Sequence, residues 1–371
     1  MVEFIVTPWE VKGKVDYKKL IEQFGLKELT PEILEKIKKY TKQLHFLLRR
    51  RIFFAHRDLD WLLAEFEKGN KFYLYTGRGP SGKTHIGHLI PWILTKWLQD
   101  KFDAKLYFQM TNDEKFLFKR ELTLEKVDEF MYENMLDVIA IGFDPKKTKI
   151  IRDIQDISLL YPEALKVARH LTFSTVKAVF GFKESSNVGQ IFFTCLQSVP
   201  AFIESVLRKR NVPCLIPLAV DQDPHFRITR DVAPKLGYYK PAIVHSKFLP
   251  SLKGIGEKMS SSEPETCVFT TDPPEQVEKK IMNAFTGGRD TAQEQRKYGG
   301  NPQICPVYYY YLFFFEQDDK KLKEIEESCK SGKTLCGECK RMLIEKINKF
   351  LKEHQRKREK ARRIVNKFLL K

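Results

Sequence analysis

The apolar positions Leu34, Ile37, Tyr40, Leu44 and Leu47 recur near every 3.6 residues, which predicts a helix within a lysine-rich, mostly helical lead-in covering residues 1–70. The pattern then changes. Lys71 to Thr76 reads as a short strand and a glycine-rich turn follows. His85 to Phe102 returns to helical spacing, with Ile86, Leu89, Ile90, Ile93 and Trp97 on one face and a kink expected at Pro91. Ala104 to Met110 reads as a second strand. The resulting β-loop-α-β unit implies a right-handed crossover and a ligand beyond the carboxyl ends of its strands. From about 120 to 190 helical patterning breaks the alternation, which predicts an insertion between two halves of one sheet. A buried strand at Pro213 to Val220, helical sequence from Asp221 to Lys235 and a short strand at Pro241 to His245 resume it. Beyond about residue 271 the spacing is helical to the end. The expected fold is therefore α/β: a Rossmann-like parallel-sheet catalytic domain at 71–270 carrying a helical insertion, then an all-helical domain at 271–371.

Charge narrows the partners. The 371 residues carry 65 Lys and Arg against 48 Asp and Glu, a net +17, which suits a polyanion such as nucleic acid or an anionic surface. No apolar run approaches the roughly 18 residues of a membrane span, and the start Met1-Val2-Glu3-Phe4 lacks the basic and apolar regions of a signal peptide. Seven cysteines, an odd number without framework spacing, suggest free thiols and a cytoplasmic location.

Candidate chemistry concentrates in residues 75–88, where two nucleotide signatures overlap. From Gly77 the segment satisfies G-x-x-x-x-G-K-S/T, ending in Gly82-Lys83-Thr84, the string of a P-loop. Its far end, His85-Ile86-Gly87-His88, resembles the first signature of class I aminoacyl-tRNA synthetases. There two histidines meet ATP phosphates and the glycine receives adenine. About 170 residues on, Lys258-Met259-Ser260-Ser261-Ser262 resembles the second signature of that class and follows Gly254-Ile255-Gly256-Glu257, which predicts a flexible exposed loop. A cation brought up as charge develops on pyrophosphate favours the transition state over bound ATP. The paired signatures favour the class I reading over the P-loop.

Further stretches make the resemblance specific: Tyr75-Thr76-Gly77-Arg78-Gly79, Gln109-Met110-Thr111-Asn112-Asp113-Glu114-Lys115, Val220-Asp221-Gln222-Asp223-Pro224-His225 and Gly287-Gly288-Arg289-Asp290. Over nearly its whole length the chain resembles the tryptophanyl-tRNA synthetases of eukaryotic and archaeal type. That resemblance implies a homodimer that binds tRNA(Trp), L-tryptophan and ATP with Mg2+. His85, His88 and Lys258 would be catalytic. Thr76, Gly77, Arg78, Gly79, Gly87, Met259, Ser260, Ser261 and Ser262 would bind ATP. Tyr75, Gly79, Gln109, Glu114, Gln197 and Gln222 would bind tryptophan, with Tyr75 and Gln109 facing the indole nitrogen. Acceptors there suit indole, which has one N–H donor and no acceptor. Asp221 and Asp223 would organise the pocket or the ribose side, and Lys83 would add a cation at the phosphate rim.

In the region corresponding to the anticodon-binding domain, Arg289, Asp290, Arg356 and Arg358 are expected to meet tRNA, the glycines beside Arg289 offering flexible backbone. The first part of Lys340 to Lys371 is expected to pack and its basic second part to project. Cys336 and Cys339 form C-x-x-C with Cys329 nearby, but no second ligand pair follows, so they read as packing residues rather than a metal site. The run from Val307 to Phe315 reads as a buried core element. The alternatives are a tyrosyl-tRNA synthetase, which Gln109 disfavours, and a P-loop ATPase acting on RNA.

Overall fold

The computed structural model describes residues 4–6, 11–13, 15–261 and 263–370; the side chains at 5, 11, 12, 257 and 258 are not described. The central sheet has seven strands: β1 (Lys27–Glu28), β2 (Phe53–Arg57), β3 (Tyr73–Arg78), β4 (Leu106–Met110), β5 (Thr148–Arg152), β6 (Cys214–Ala219) and β7 (Ala242–Ser246). Their order across the sheet is β1-β2-β7-β6-β3-β4-β5. The five strands from β7 to β5 are parallel, and β2 runs antiparallel to β7. Every residue of β4 is buried, as expected of a strand covered by helices on both faces.

Six helices matter for the site: α1 (Ile86–Phe102), α2 (Asn112–Phe118), α3 (Leu124–Ala140), α4 (Val188–Leu196), α5 (Asp223–Val232) and α6 (Cys336–Arg362). Inside α1, Pro91 has no N–H to give the Gly87 carbonyl, and the Thr95 hydroxyl donates to the Pro91 carbonyl at 2.8 Å. The 27 residues of α6 turn Leu343, Ile347, Leu351, His354, Arg358 and Ala361 inward against α3 and the helix Pro274–Met282.

Three segments differ from the sequence reading. The lead-in is not helical throughout, because β1 and β2 extend the sheet from within it. The supposed insertion contains β5, a parallel partner of β4, so strand-helix alternation continues to residue 152 and the helical stretch starts later. Strands of five residues flanked by helices leave too little period to separate from buried helix. The Lys258 segment, expected in an exposed loop, instead begins at the end of the strand Gly254–Lys258, paired antiparallel with Pro250–Ser251 and, through Glu257, with Lys12, and the Met259 that follows is buried.

The region beyond 271 shares one apolar core with the sheet: Trp92, Phe108 and Ile150 belong to the same buried cluster as Tyr310, Phe313, Leu343 and Phe368. The aromatic run 307–315 is core, with Tyr310 and Tyr311 fully buried. The chain end returns to the edge strand, where the Ile150 N–H donates to the Phe368 carbonyl at 2.7 Å, so that backbone donor of the edge is satisfied.

Candidate active site

After β3 the chain crosses to β4 on one side, and later returns to place β6 on the other. Open α/β sheets bind ligands at this reversal, beyond the carboxyl ends of the strands. A cleft of about 850 Å3 opens there, lined by Tyr75 to Gly79, His85, Gly87, His88, Glu114, Gln197, Gln222, Met259, Ser260 and Ser261.

One end of the cleft is built on the start of α1, whose amino terminus favours anions. The His85 main-chain N–H donates to His88 Nδ1 at 3.1 Å, and the two rings stack with centroids 3.5 Å apart. With Nδ1 accepting, the neutral His88 ring carries its proton on Nε2 and is a donor there. A Cβ on Gly87 would stand 3.1 Å from the His85 ring and from Met259 Sδ, so glycine keeps this floor open. The Ser261 hydroxyl donates to the Lys83 carbonyl at 3.1 Å. Two strings about 170 residues apart in sequence therefore meet over one helix start. The Lys258 side chain and all of Ser262 lie outside the described residues.

The P-loop reading fails on geometry. Gly77 is inside β3 and registers with Gln109, where a Cβ would come 3.0 Å from the Gln109 carbonyl. Lys83, expected at the phosphate rim, is exposed, and its Nζ stands 5.9 Å from the Phe269 ring centroid. Among the cations that do line the cleft is Arg78, held by Asn134 Oδ1 at 3.0 Å and lowered by burial to about 10, so it stays charged at neutral pH.

At the other end Tyr75 donates its hydroxyl proton to Gln109 Oε1 at 2.5 Å and accepts from Gln197 Nε2 at 3.0 Å. Gln109 Nε2 donates to both Asp153 oxygens at 2.9 Å. Gln109 is fully buried, one layer behind the cleft wall formed by Tyr75. Nearby, the Thr111 hydroxyl donates to Glu114 Oε2 at 2.7 Å and Lys115 Nζ meets Glu114 Oε1 at 2.6 Å. Burial pushes the Glu114 carboxyl up, but the charge and hydrogen bond of Lys115 and the Thr111 bond more than offset this and leave it lowered. His225, also on the cleft, is depressed by burial to about 4 and is neutral.

Asp221 lines the cleft, whereas Asp223 does not serve the pocket. It is fully buried and takes two bonds from Arg57, at 2.8 and 2.7 Å, and one from His245 Nε2 at 2.8 Å. Burial opposes its charge, yet these partners lower it to about 2. It ties α5 to β2 and β7.

The expected tRNA residues separate. Arg289, Asp290 and Arg356 are exposed. Arg358 does not project: it is buried against α3, paired with Glu133 at 2.6 Å and Asp137 at 2.5 Å, while His354 Nε2 lies 2.9 Å from Asp137. Its position four residues after the inward-facing His354 puts it on the packing stripe of α6, a geometry that a run of basic letters conceals. The glycines beside Arg289 are packed rather than free: a Cβ on Gly287 would sit 1.8 Å from the Asn301 carbonyl oxygen and one on Gly288 2.6 Å from Cys336 Sγ.

Cys336, Cys339 and the nearby Cys329 have a companion that spacing did not reveal, because Cys305 lines the same apolar cavity of about 360 Å3. Burial raises Cys329 to about 11 and Cys339 to about 12, which keeps these thiols neutral. Among the described residues no group of three or more His, Cys, Asp or Glu is arranged to hold a metal ion.

Sequence reasoning missed Asp153 and passed over Asp113 and Lys115 inside a quoted string. Asp153 immediately follows β5, the carboxyl-end position where α/β sheets carry ligands, but β5 itself was hidden.

Strand order, switch-point cleft and two joined signatures define a class I aminoacyl-tRNA synthetase domain. The family of class I tRNA synthetases for tryptophan and tyrosine (W and Y) matches residues 67–352, and the chain belongs to it. It is 55% identical over 371 residues to the tryptophan–tRNA ligase of Pyrococcus abyssi, covering 99% of this chain and 94% of that protein. To the tryptophan–tRNA ligase of Pyrobaculum arsenaticum it is 54% identical over 368 residues, covering 99% and 98%. Among solved structures, the tryptophanyl-tRNA synthetase of Giardia lamblia superposes with a TM-score of 0.90 at 38% identity, covering 96% of each chain. That of Aeropyrum pernix superposes at 0.87 with 34% identity and the same coverage.

Proposed function

We propose that this chain is a tryptophan–tRNA ligase: it activates L-tryptophan with ATP to tryptophanyl-adenylate and transfers the aminoacyl group to tRNA(Trp). The observation that carries the reading is the meeting of the His85–His88 helix start with the Met259–Ser261 segment over the switch-point cleft, in a chain whose full-length relatives bear that activity. The names of those relatives favour tryptophan over tyrosine.

The substrate is ATP with its magnesium. His88 Nε2 and the amino end of α1 meet the phosphates, Gly87 receives adenine, and Thr76, Gly77, Arg78, Gly79 and Ser260 to Ser262 complete the nucleotide surface. The tryptophan carboxylate attacks the α-phosphorus in line with departing pyrophosphate, whose growing charge Lys258 and Arg78 stabilise. A terminal ribose hydroxyl of tRNA then takes the acyl group. Positioning and electrostatics carry both steps, without a covalent enzyme intermediate. The Tyr75 oxygen, with Gln109 holding its proton from behind, presents the acceptor to the indole N–H, while Glu114, Gln197 and Gln222 serve the α-ammonium end. Smaller amino acids leave that acceptor unpaired, a penalty that removes the need for editing.

Arg289, Asp290 and Arg356 contact tRNA from the exposed side of the helical region. The enzyme works in the cytoplasm as a homodimer; Ile157, Tyr161 and Leu165 support this, forming an apolar stripe at helical spacing that is 39%, 48% and 47% exposed. Among the described residues no helix is long and apolar enough to cross a membrane.

Amino-acid-dependent exchange between ATP and pyrophosphate tests the reading: tryptophan should support it and tyrosine should not. Lys258→Ala should slow adenylate formation by about a hundredfold or more, the range for removing one donor from developing charge, while Lys83→Ala should change little. The reverse ranking of the two lysines, or equal exchange with tyrosine, would refute it.

A further inference from the structure

We propose that Asp153, backed by Asp113, is a positioning residue that sets the polarity of a hydrogen-bond relay ending on the Tyr75 oxygen and so makes the pocket select for an N–H on the indole ring. This rests on the tryptophan-pocket reading above.

The relay follows from counting donors and acceptors. An amide side chain presents an oxygen at one end and an NH2 at the other, and can flip. Gln109 places its NH2 2.9 Å from both oxygens of Asp153 and its oxygen 2.5 Å from the Tyr75 hydroxyl. With its single proton committed to Gln109, the Tyr75 oxygen faces the cleft as an acceptor, already taking one bond from Gln197 Nε2 at 3.0 Å. The other acceptor near that proton, the Gln197 main-chain oxygen, is longer at 3.3 Å. Flipping Gln109 would set its oxygen against the Asp153 carboxyl and its NH2 against Tyr75. Tyr75 would then accept from both amides and turn its proton to the Gln197 main-chain oxygen or into the cleft, so that an indole N–H finds no free lone pair. Buried acceptor against buried acceptor is costly, so Asp153 forbids the flip.

Asp113 closes a loophole. A protonated Asp153 could in principle donate to a flipped Gln109. The Asp113 carboxyl contacts that of Asp153, and as an acceptor it claims the proton for itself. Burial raises Asp113 to about 6, and burial together with Asp113 raises Asp153 well above the carboxylate range. One shared proton thus satisfies the pair and leaves the Asp153 oxygens as acceptors toward Gln109. Asp153 is fully buried and touches neither cleft nor substrate position, so it acts only through Gln109.

Asp153→Asn removes the constraint: the new amide can donate to a flipped Gln109, and it can also donate to Asp113, which keeps the fold. The readout is kcat/KM in ATP–pyrophosphate exchange for tryptophan divided by that for β-(3-benzothienyl)alanine, a near-isosteric substrate with sulfur in place of the N–H. In the wild type this ratio should favour tryptophan. In Asp153→Asn it should fall about tenfold or more, the scale of one specific buried hydrogen bond, and Asp153→Ser should behave likewise should the first variant fold poorly. Asp113→Asn, which leaves the Asp153 carboxylate facing Gln109, should keep the ratio within about twofold of wild type. Equal losses on both substrates in the Asp153 variants, leaving the ratio unchanged, would mean a merely structural role and overturn the proposal. A wild-type ratio near unity would instead overturn the indole pocket itself.

Discussion

Two polar networks in this molecule, one buried and one buried at Asp137 and Arg358 but open at its rim, are built from similar letters and differ in their charge balance. Around Tyr75, two carboxyls, Asp153 and Asp113, meet no cation within their own network and persist by sharing a proton, with neutral Gln109 and Tyr75 between them and the cleft. Around Arg358, each acid has a basic partner: Asp137 binds Arg358 and His354, and Glu133 binds Arg358 and Arg362. The balanced network fastens α6 to α3, and none of its members lines the switch-point cleft. The unbalanced one ends at the cleft wall, where an acceptor such as the Tyr75 oxygen is open to an incoming donor. A buried ion pair is costly to break because one charge remains unpaired, whereas a neutral relay is costly to break because a polarity is lost. Stability should therefore read out the first and selectivity the second.

The largest effect expected from this contrast is on folding. Arg358→Ala leaves Asp137, 2% exposed, beside a single imidazole, and should cost about 3–5 kcal/mol in denaturant unfolding, with tryptophan exchange per folded molecule near wild type. A fall in kcat/KM without loss of stability would erase the distinction. Next, Gln109→Ala should cost about 1–3 kcal/mol in kcat/KM for tryptophan, measured by pyrophosphate exchange, and shift the melting temperature far less than Arg358→Ala.

A smaller effect lies in pH. Burial resists charging Asp137, but the His354 bond and Arg358 lower its carboxyl below the ordinary value. Its contribution is present above the unfolded pKa of about 3.9 and is lost as pH falls through the folded one. Asp113 goes the other way, raised to about 6. Between about 4 and 6 the native state holds a proton the unfolded chain has released, so stability falls as pH rises across that window. Melting temperatures from pH 3 to 7 should show this decline in the wild type and lose it in Asp153→Asn, while acid sensitivity below about pH 4 remains in both. Smallest of all, changing the exposed Arg356, Lys360 and Arg363 to Gln should leave tryptophan activation intact. It should make the salt dependence of tRNA affinity shallower, by up to about 0.7 in log–log slope per lost contact.

Local strings determined much of this. The β3 end at Gly77 to Gly79, the His85–His88 helix start and the Met259–Ser261 segment are recognisable within a few residues, and a β-loop-α-β period is enough to point a ligand to the carboxyl ends of strands. The parallel core and the buried aromatic run were legible for the same reason, since alternation and continuous apolarity are properties of neighbours. What only the tertiary structure decided depends on pairs far apart in the chain. Strand β2 is recognisable once β7 supplies its edge, and β5 once β4 does. Arg358 ceases to be a surface cation only when Asp137, more than 200 residues earlier, is brought to it. Cys305 joins Cys329, Cys336 and Cys339 only when the chain folds round one cavity. Asp153 acquires a role only because β5 lies beside β4 and sets it against Gln109. Side-chain hydrogen bonds and charge pairing act over about 3 Å in space and have no fixed distance along the chain, so a sequence states which groups exist while the fold states which of them neutralise, orient or confront one another.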